Sequence, residues 1–145
     1  MTFCELKKED VKQITEFFKK NFPDGWTENM LLSAFDGGRF FAISAKEDEK
    51  IVGIITFTVG LDDADIEGVV TDKDHRNRGV ASALIKRAEE KIASLNVKKV
   101  LLEVRESNES AKNLYLKSGF IALYVRKKYY QDGENAVIMI KESVE

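Results

Sequence analysis

The sequence is poor in cysteine, proline and histidine, and these shortages exclude several classes of protein. It contains one cysteine, one proline and one histidine among 145 residues. A single cysteine excludes an internal disulfide framework, and we interpret Cys4 as a small packing residue in a reducing compartment. One histidine and one cysteine cannot form a zinc site of the usual kind, so we expect no metal.

The chain also lacks an excess of positive charge and a long apolar run. Lys plus Arg number 23 and Asp plus Glu 25, giving a net charge of −2. Nucleic-acid binding requires a basic excess, so we expect no nucleic-acid partner. The richest apolar stretch, 51–59, is far below the ~18 residues that span a bilayer, and residues 1–10 are too polar for a signal peptide. We therefore predict a cytoplasmic protein with no membrane partner, either a monomer or a weak homodimer.

Hydrophobic periodicity predicts one α/β domain over residues 1–145. Strands are predicted at 3–6, 39–45, 51–59, 65–71, 100–104, 121–130 and 136–141. Helices are predicted from 11 to about 21, from 27 to about 36, from 79 to 95 and from about 108 to 118. Asp10 is expected to cap the first helix, and Ser107 or Asn108 the last. The helix 79–95 is a crossover, so the fourth and fifth strands should be parallel in a mixed sheet covered on both faces.

The segment between the fourth strand and the third helix has the composition of a phosphate-binding loop. Arg76 and Arg78 precede Gly79 and Ala81, where the helix begins. Free N–H groups at a helix start, the positive end of its dipole and nearby arginines bind phosphate, and small residues let the anion approach the backbone. The same composition also fits a solvated basic loop before an ordinary helix, and composition alone does not choose between them.

Two polar side chains further along the chain are candidates for acid–base chemistry. Glu103 interrupts an apolar strand, where burial would raise its pKa and allow it to accept a proton from an amine near neutral pH. Tyr115 lies about two helical turns after Asn108, on the same helix face, and its phenol could protonate a departing thiolate. The alternatives are a glutamate paired with Arg105 or a lysine, or facing solvent at a strand edge, and a tyrosine that only packs in the core.

Both segments resemble signatures of the GCN5-related N-acetyltransferase (GNAT) superfamily. Residues 76–81, Arg-Asn-Arg-Gly-Val-Ala, match its [R/Q]-x-x-G-x-[G/A] pyrophosphate loop. Residues 107–120 resemble its S-N-x-x-A-x-x-L-Y-x-x-x-G-F signature. The stretches 102–108 and 126–139 resemble the RimI branch, whose members are ribosomal-protein-alanine N-acetyltransferases.

The resemblance implies a GNAT fold, with a mixed, mostly antiparallel sheet of about seven strands, and an acetyl-CoA-dependent N-acetyltransferase. It implies direct attack of a protein's N-terminal amine on the thioester, with Glu103 as general base, Tyr115 as general acid and an oxyanion contact near Val69. The implied coenzyme contacts are Val69, Val70, Thr71, Arg76, Asn77, Arg78, Gly79, Val80, Ala81, Asn108 and Ala111.

An acidic cluster, Asp62, Asp63, Asp65 and Glu67, leaves the acceptor open. Asp65 and Glu67 share one face of a strand and could attract a cationic amine, and in other branches of the superfamily a carboxylate on this strand is the base. A small-molecule amine such as a polyamine, an amino acid or an aminoglycoside is therefore the alternative acceptor. Tyr129 and Tyr130 are candidates for a peptide-binding wall. A non-catalytic acyl-CoA-binding module is a third hypothesis.

Overall fold

Seven strands form one mixed sheet in the computed structural model, which describes residues 1–142. The strands are β1 (Thr2–Leu6), β2 (Phe40–Glu47), β3 (Lys50–Val59), β4 (Ala64–Thr71), β5 (Lys99–Arg105), β6 (Ile121–Arg126) and β7 (Ala136–Glu142). Their order across the sheet is β1-β2-β3-β4-β5-β7-β6. Only β4 and β5 are parallel neighbours among the described strands, so the predicted crossover and fold class are confirmed.

Four α-helices cover the two faces of this sheet: α1 (Val11–Asn21), α2 (Glu28–Asp36), α3 (Val80–Ser94) and α4 (Glu109–Lys117). The buried residues of α3 recur at helical spacing and pack with α4 in the larger core, against one face of the sheet. Helices α1 and α2 cover β2 to β4 on the other face, with Ile14 and Leu31 fully buried there. No helix within residues 1–142 is long and apolar enough to cross a membrane.

The parallel strands β4 and β5 separate after a short paired region. They pair at three positions, the last of which joins Ile66 to Leu102. Immediately afterwards Glu67 is the extra residue of a bulge between β3 and β4, because Phe57 pairs with Ile66 whereas Thr56 pairs with Gly68. Residues 68–71 stay paired with β3, and their other backbone edge faces the gap between the strands.

Two local predictions are wrong. Asp10 precedes α1, but its backbone (φ −94°, ψ 6°) is not in the extended conformation of a capping residue, and its carboxylate accepts the N–H of Lys7 at 2.8 Å instead. Cys4 is exposed rather than packed. Strand alternation turns its neighbours Phe3 and Glu5 towards side chains of α3, so Cys4 faces away from them.

The sixth strand is shorter than predicted. It ends at Arg126 rather than at residue 130, and residues 127–135 form a loop before β7. Lys128 has a φ of +52°, which turns the chain out of the extended conformation. The N–H groups of Tyr129 and Tyr130 then both donate to the carbonyl of Glu134, at 3.1 Å each. The two tyrosines therefore belong to a closed loop and not to a strand end.

Gly53 of β3 allows α3 to begin close to the sheet. A Cβ atom added there would lie 2.7 Å from Cγ1 of Val80 and 3.0 Å from Cδ1 of Leu84. Because Val80 is β-branched and buried, it cannot rotate away without cost. A glycine inside an apolar strand is a sequence signal for such a close approach.

We expect Gly53→Ala to lower the free energy of unfolding by about 1–3 kcal/mol, because the added methyl group overpacks the start of α3. Gly68→Ala is the matched control, since its Cβ would lie 3.8 Å from the Thr56 hydroxyl. The control should be neutral or stabilising by up to about 1 kcal/mol. Denaturant unfolding of the two variants measures this difference, and equal stabilities would contradict the packing explanation.

Candidate active site

The loop between β4 and α3 presents backbone N–H groups to solvent. Asn77 and Gly79 both have left-handed backbones, with φ of +63° and +79°, which turn the chain into the helix. Gly79 has no side chain to cap the first turn, so the first N–H groups of α3 point out of its end. Arg76 and Arg78 are exposed beside them. The predicted loop therefore has the geometry and the charge of an anion site.

A buried carboxylate anchors the base of this loop. Asp72 is 2% exposed, and its N–H donates to the Val52 carbonyl at 2.8 Å. Its carboxylate lies 2.8 Å from Nδ1 of His75 and 3.5 Å from Nζ of Lys20. The hydrogen bond with His75 and the charge of Lys20 hold the pKa of Asp72 below its usual value in spite of burial. Asn21 reinforces the turn by accepting the N–H of Lys73 at 3.3 Å.

One of the two residues predicted to cap α4 does so. Oδ1 of Asn108 accepts the N–H of Ala111 at 3.1 Å, so Asn108 and not Ser107 caps α4. This leaves the NH₂ group of the Asn108 amide available as a donor at the exposed helix start. Ala111 packs against the larger core as a small side chain.

Glu103 lies on β5 at the first position beyond the last β4–β5 pair. Its side chain is not buried, so of the alternatives that the sequence leaves open the structure shows a glutamate that faces solvent. Pairing with Arg105 is not its role either, because that guanidinium contacts Asp132 and Glu134. Its neighbour is Tyr129, whose pKa is raised by a hydrogen bond to Glu103 and by the charge of that carboxylate.

Tyr115 is buried on the opposite side of β5. It packs with Leu102 and Val104 in the larger core, with its ring 6.0 Å from that of Phe120. Burial, with a smaller contribution from Tyr130, raises the pKa of Tyr115 to about 12. A phenol with this pKa is protonated at neutral pH and can donate a proton. The tyrosine is thus both a core residue and a possible acid.

Tyr130 interacts electrostatically with both Glu103 and Tyr115. Its pKa is raised first by partial burial and then by the charge of Glu103. It also contributes to the raised pKa of Tyr115. The structure therefore brings the loop 127–135 next to both predicted catalytic residues.

The acidic residues of β4 lie on the same sheet face as Glu103. Partial burial and then the charges of Asp63 and Glu103 raise the pKa of Asp65. The Thr58 hydroxyl is hydrogen-bonded to the carboxylate of Glu67. Since Thr58 is the β3 partner of Asp65, the carboxylates of Asp65 and Glu67 share this face, as predicted.

A tryptophan in the segment between α1 and α2 borders the same face. Nε1 of Trp26 donates to the hydroxyl of Thr56 at 3.3 Å, and its ring packs 5.1 Å from that of Phe40. This contact fixes the segment between α1 and α2 beside the bulge at Glu67. Its sequence signal is an aromatic residue that follows Pro23 by three positions and precedes the helix-capping Thr27.

The model of the acetyltransferase (GNAT) family matches residues 10–120 of the chain. The protein belongs to the GNAT family. It is therefore an N-acetyltransferase that uses acetyl-CoA as its acetyl donor. This confirms the predicted superfamily, activity and cosubstrate.

Alignments with similar proteins cover nearly the whole of this chain. The [ribosomal protein bS18]-alanine N-acetyltransferase of Escherichia coli is 31% identical over 141 aligned positions, and the alignment covers 95% of this chain and 95% of the relative. The solved structure of the Escherichia coli ribosomal-protein-S18-alanine N-acetyltransferase has a TM-score of 0.88 at 27% identity, covering 98% of this chain and 93% of its own. An aminoglycoside 6′-N-acetyltransferase complexed with coenzyme A has a TM-score of 0.85 at 14% identity, covering 100% and 98%, and shares the fold.

We expect Asp72→Asn to lower the free energy of unfolding at neutral pH by about 1–3 kcal/mol, because the buried carboxylate loses its hydrogen bond with His75 and its ion pair with Lys20. The pKa of Asp72 is lower in the folded protein, so its contribution is present above the ordinary value of 3.8 and disappears as the pH falls below it. The variant should therefore lose less stability than the wild type on acidification.

Asp74→Asn, an exposed aspartate in the same turn, is the matched control and should behave as the wild type. Denaturant unfolding at several pH values from 7 down to about 3 measures both effects. A wild-type stability profile for Asp72→Asn would show that the buried carboxylate does not anchor the loop.

Proposed function

We propose that the protein acetylates the N-terminal α-amine of a protein, as a ribosomal-protein-alanine N-acetyltransferase of RimI type. The observation that carries this proposal is the exposed Glu103, which stands where β4 and β5 separate and has the loop tyrosines beside it. Full-length similarity to relatives named for alanine acetylation of ribosomal protein S18 supports the acceptor class. A cytoplasmic location and a monomeric or weakly dimeric state stay predictions.

The gap between the strands suits an extended ligand with an anionic end. The unpaired edge of Val69, Val70 and Thr71 can form hydrogen bonds as an additional strand would, which suits the pantetheine amides. The pyrophosphate would be held by Arg76, Asn77, Arg78 and the N–H groups of Gly79, Val80 and Ala81. The Asn108 amide and the small side chain of Ala111 would border the same ligand at the start of α4.

In this proposal the residues of the chain move two protons. Bound acetyl-CoA supplies the thioester carbonyl that the amine attacks. Glu103, directly or through water, takes a proton from the incoming ammonium group, which frees the amine lone pair. The N–H near Val69 stabilises the negative charge on the carbonyl oxygen, and Tyr115 donates its proton to the thiolate as the carbon–sulfur bond breaks. The second proton that the amine nitrogen loses on becoming an amide returns Tyr115 to its protonated form.

One observation favours a second acceptor class. Asp65, Glu67 and Glu103 place three carboxylates on one sheet face, and Asp65 has a raised pKa, as a base on this strand would require. A small polyamine or aminoglycoside carries several positive charges that suit such a face. In that case the base would be Asp65 or Glu67 rather than Glu103.

We expect Glu103→Gln to lower kcat/KM for a peptide beginning with alanine by about 100-fold or more, because the proton acceptor is lost. Asp65→Asn and Glu67→Gln remove carboxylates from the same face and should retain most of the activity. Release of free thiol from acetyl-CoA is measured with such peptides and with polyamines and aminoglycosides. Turnover only on the small amines, with full activity in Glu103→Gln, would contradict both the proposed acceptor class and the assignment of Glu103 as the base.

We expect Tyr115→Phe to lower kcat by about 100-fold while leaving the thermal unfolding temperature nearly unchanged, since the ring still fills the core. The wild-type phenol has a pKa of about 12, so it stays protonated throughout an ordinary assay range. The variant should therefore show the same shape of pH profile as the wild type up to about pH 10. Unchanged turnover in Tyr115→Phe would remove this residue from the proposed chemistry.

A further inference from the structure

One guanidinium makes three contacts to the loop 127–135. Cζ of Arg105 lies 4.1 Å from the ring centroid of Tyr130. Its Nη1 lies 2.9 Å from Oδ2 of Asp132 and 3.4 Å from Oε2 of Glu134. Arg105 belongs to β5, two residues beyond Glu103, so by strand alternation both side chains stand on the same face of the sheet.

A second set of bonds ties the loop to the chain that follows β5. Oε1 of Glu134 accepts from the Ser107 hydroxyl at 2.5 Å and from the Ser107 N–H at 3.2 Å. The N–H of Glu106 donates to the carbonyl of Asn135 at 3.0 Å. The loop also closes on itself, because Oδ1 of Asn135 accepts the N–H of Lys128 at 2.9 Å. Its conformation thus depends on contacts near Arg105 as well as on its own turn.

We propose that Arg105 is a positioning residue for the acceptor: it holds the loop 127–135 against β5 and so keeps Tyr129 and Tyr130 beside Glu103. The proposal rests on the proposed function in that the acceptor amine is bound next to Glu103. The guanidinium fits this role because its planar face can stack on Tyr130 while its edge binds two carboxylates. Arg105 acts through the loop and needs no contact with the acceptor.

This role differs from a general contribution to stability. The Arg105 side chain is 42% exposed, and exposed ion pairs contribute little to the stability of a whole fold. All three of its contacts end on one loop, so their loss should loosen that loop and leave the rest of the sheet as it is.

The test compares Arg105→Met with Arg87→Met, a matched control. Arg87 also stacks on an aromatic ring, with Cζ 4.5 Å from the centroid of Phe3, but this contact joins α3 to β1. Hydrogen exchange measured by mass spectrometry reports on the loop amides, and steady-state kinetics use whichever acceptor the wild type acetylates. In Arg105→Met we expect faster exchange within 127–135 and a rise of about tenfold in the acceptor KM. The KM for acetyl-CoA should stay within about twofold of the wild type, and Arg87→Met should change none of these quantities.

Two further variants separate positioning from a merely structural effect. Arg105→Lys keeps the charge beside Asp132 and Glu134 but loses the planar fork, so it should restore part of the acceptor KM. Glu134→Gln should raise the acceptor KM by itself. In the double variant with Arg105→Met, Glu134→Gln should raise the acceptor KM by a smaller factor than it does alone, because both changes release the same loop.

Unchanged loop exchange in Arg105→Met would overturn the proposal, and so would faster exchange with an unchanged acceptor KM. A different result would contradict the proposed function: a wild-type protein that acetylates small amines but no peptide. Loop exchange and the KM for that amine would then still decide the role of Arg105. The role of Arg105 and the acceptor class are therefore tested by different results.

Discussion

The separation of β4 from β5 is the constraint on which the rest of the site depends. Two parallel strands that pair at three positions and then diverge leave an opening in the middle of the sheet, and the bulge at Glu67 marks where it begins. In a continuous sheet, strand alternation would isolate a residue on one face from a residue on the other. The opening removes that isolation, so Tyr115 from the helical side and Glu103 from the exposed side can serve one ligand. The proposed acid and the proposed base are thus kept apart in different environments until a ligand lies between them.

The two halves of the site are stabilised by different kinds of interaction. On the proposed coenzyme side, buried packing dominates: Gly53 lets α3 approach the sheet, and the buried Asp72 fixes the turn before the helix. On the proposed acceptor side, exposed polar contacts dominate, through Arg105, Glu134 and Ser107. Packing forces give a site of fixed shape, whereas solvent-exposed charges give one that can adjust to a partner.

The sequence predicted the element order, the parallel pair and the position of the basic loop before α3, because these follow from periodicity and from local composition. It misplaced the end of β6, since a run of Tyr, Val and Arg has strand propensity and only contacts with Glu134 and Asn135 turn residues 127–135 into a loop. The Arg105 contacts join residues 27 and 29 positions apart, which no periodicity reveals. The Asp72–His75 pair is local, at a spacing of three, and could have been found by asking what anchors the loop. The exposure of Glu103 could not be read from its apolar neighbours, because β5 is covered by helices on one face only.

The loop 127–135 and the segment around Trp26 border the acceptor side without being strands of the sheet or part of α3. Substitutions in the loop 127–135 should be tolerated by the fold, since none of its residues belongs to either buried core. If the proposed function holds, acceptor specificity can change through a few substitutions in the loop 127–135 and around Trp26. The part of the fold proposed to bind acetyl-CoA would stay the same. An aminoglycoside 6′-N-acetyltransferase shares this fold at 14% identity.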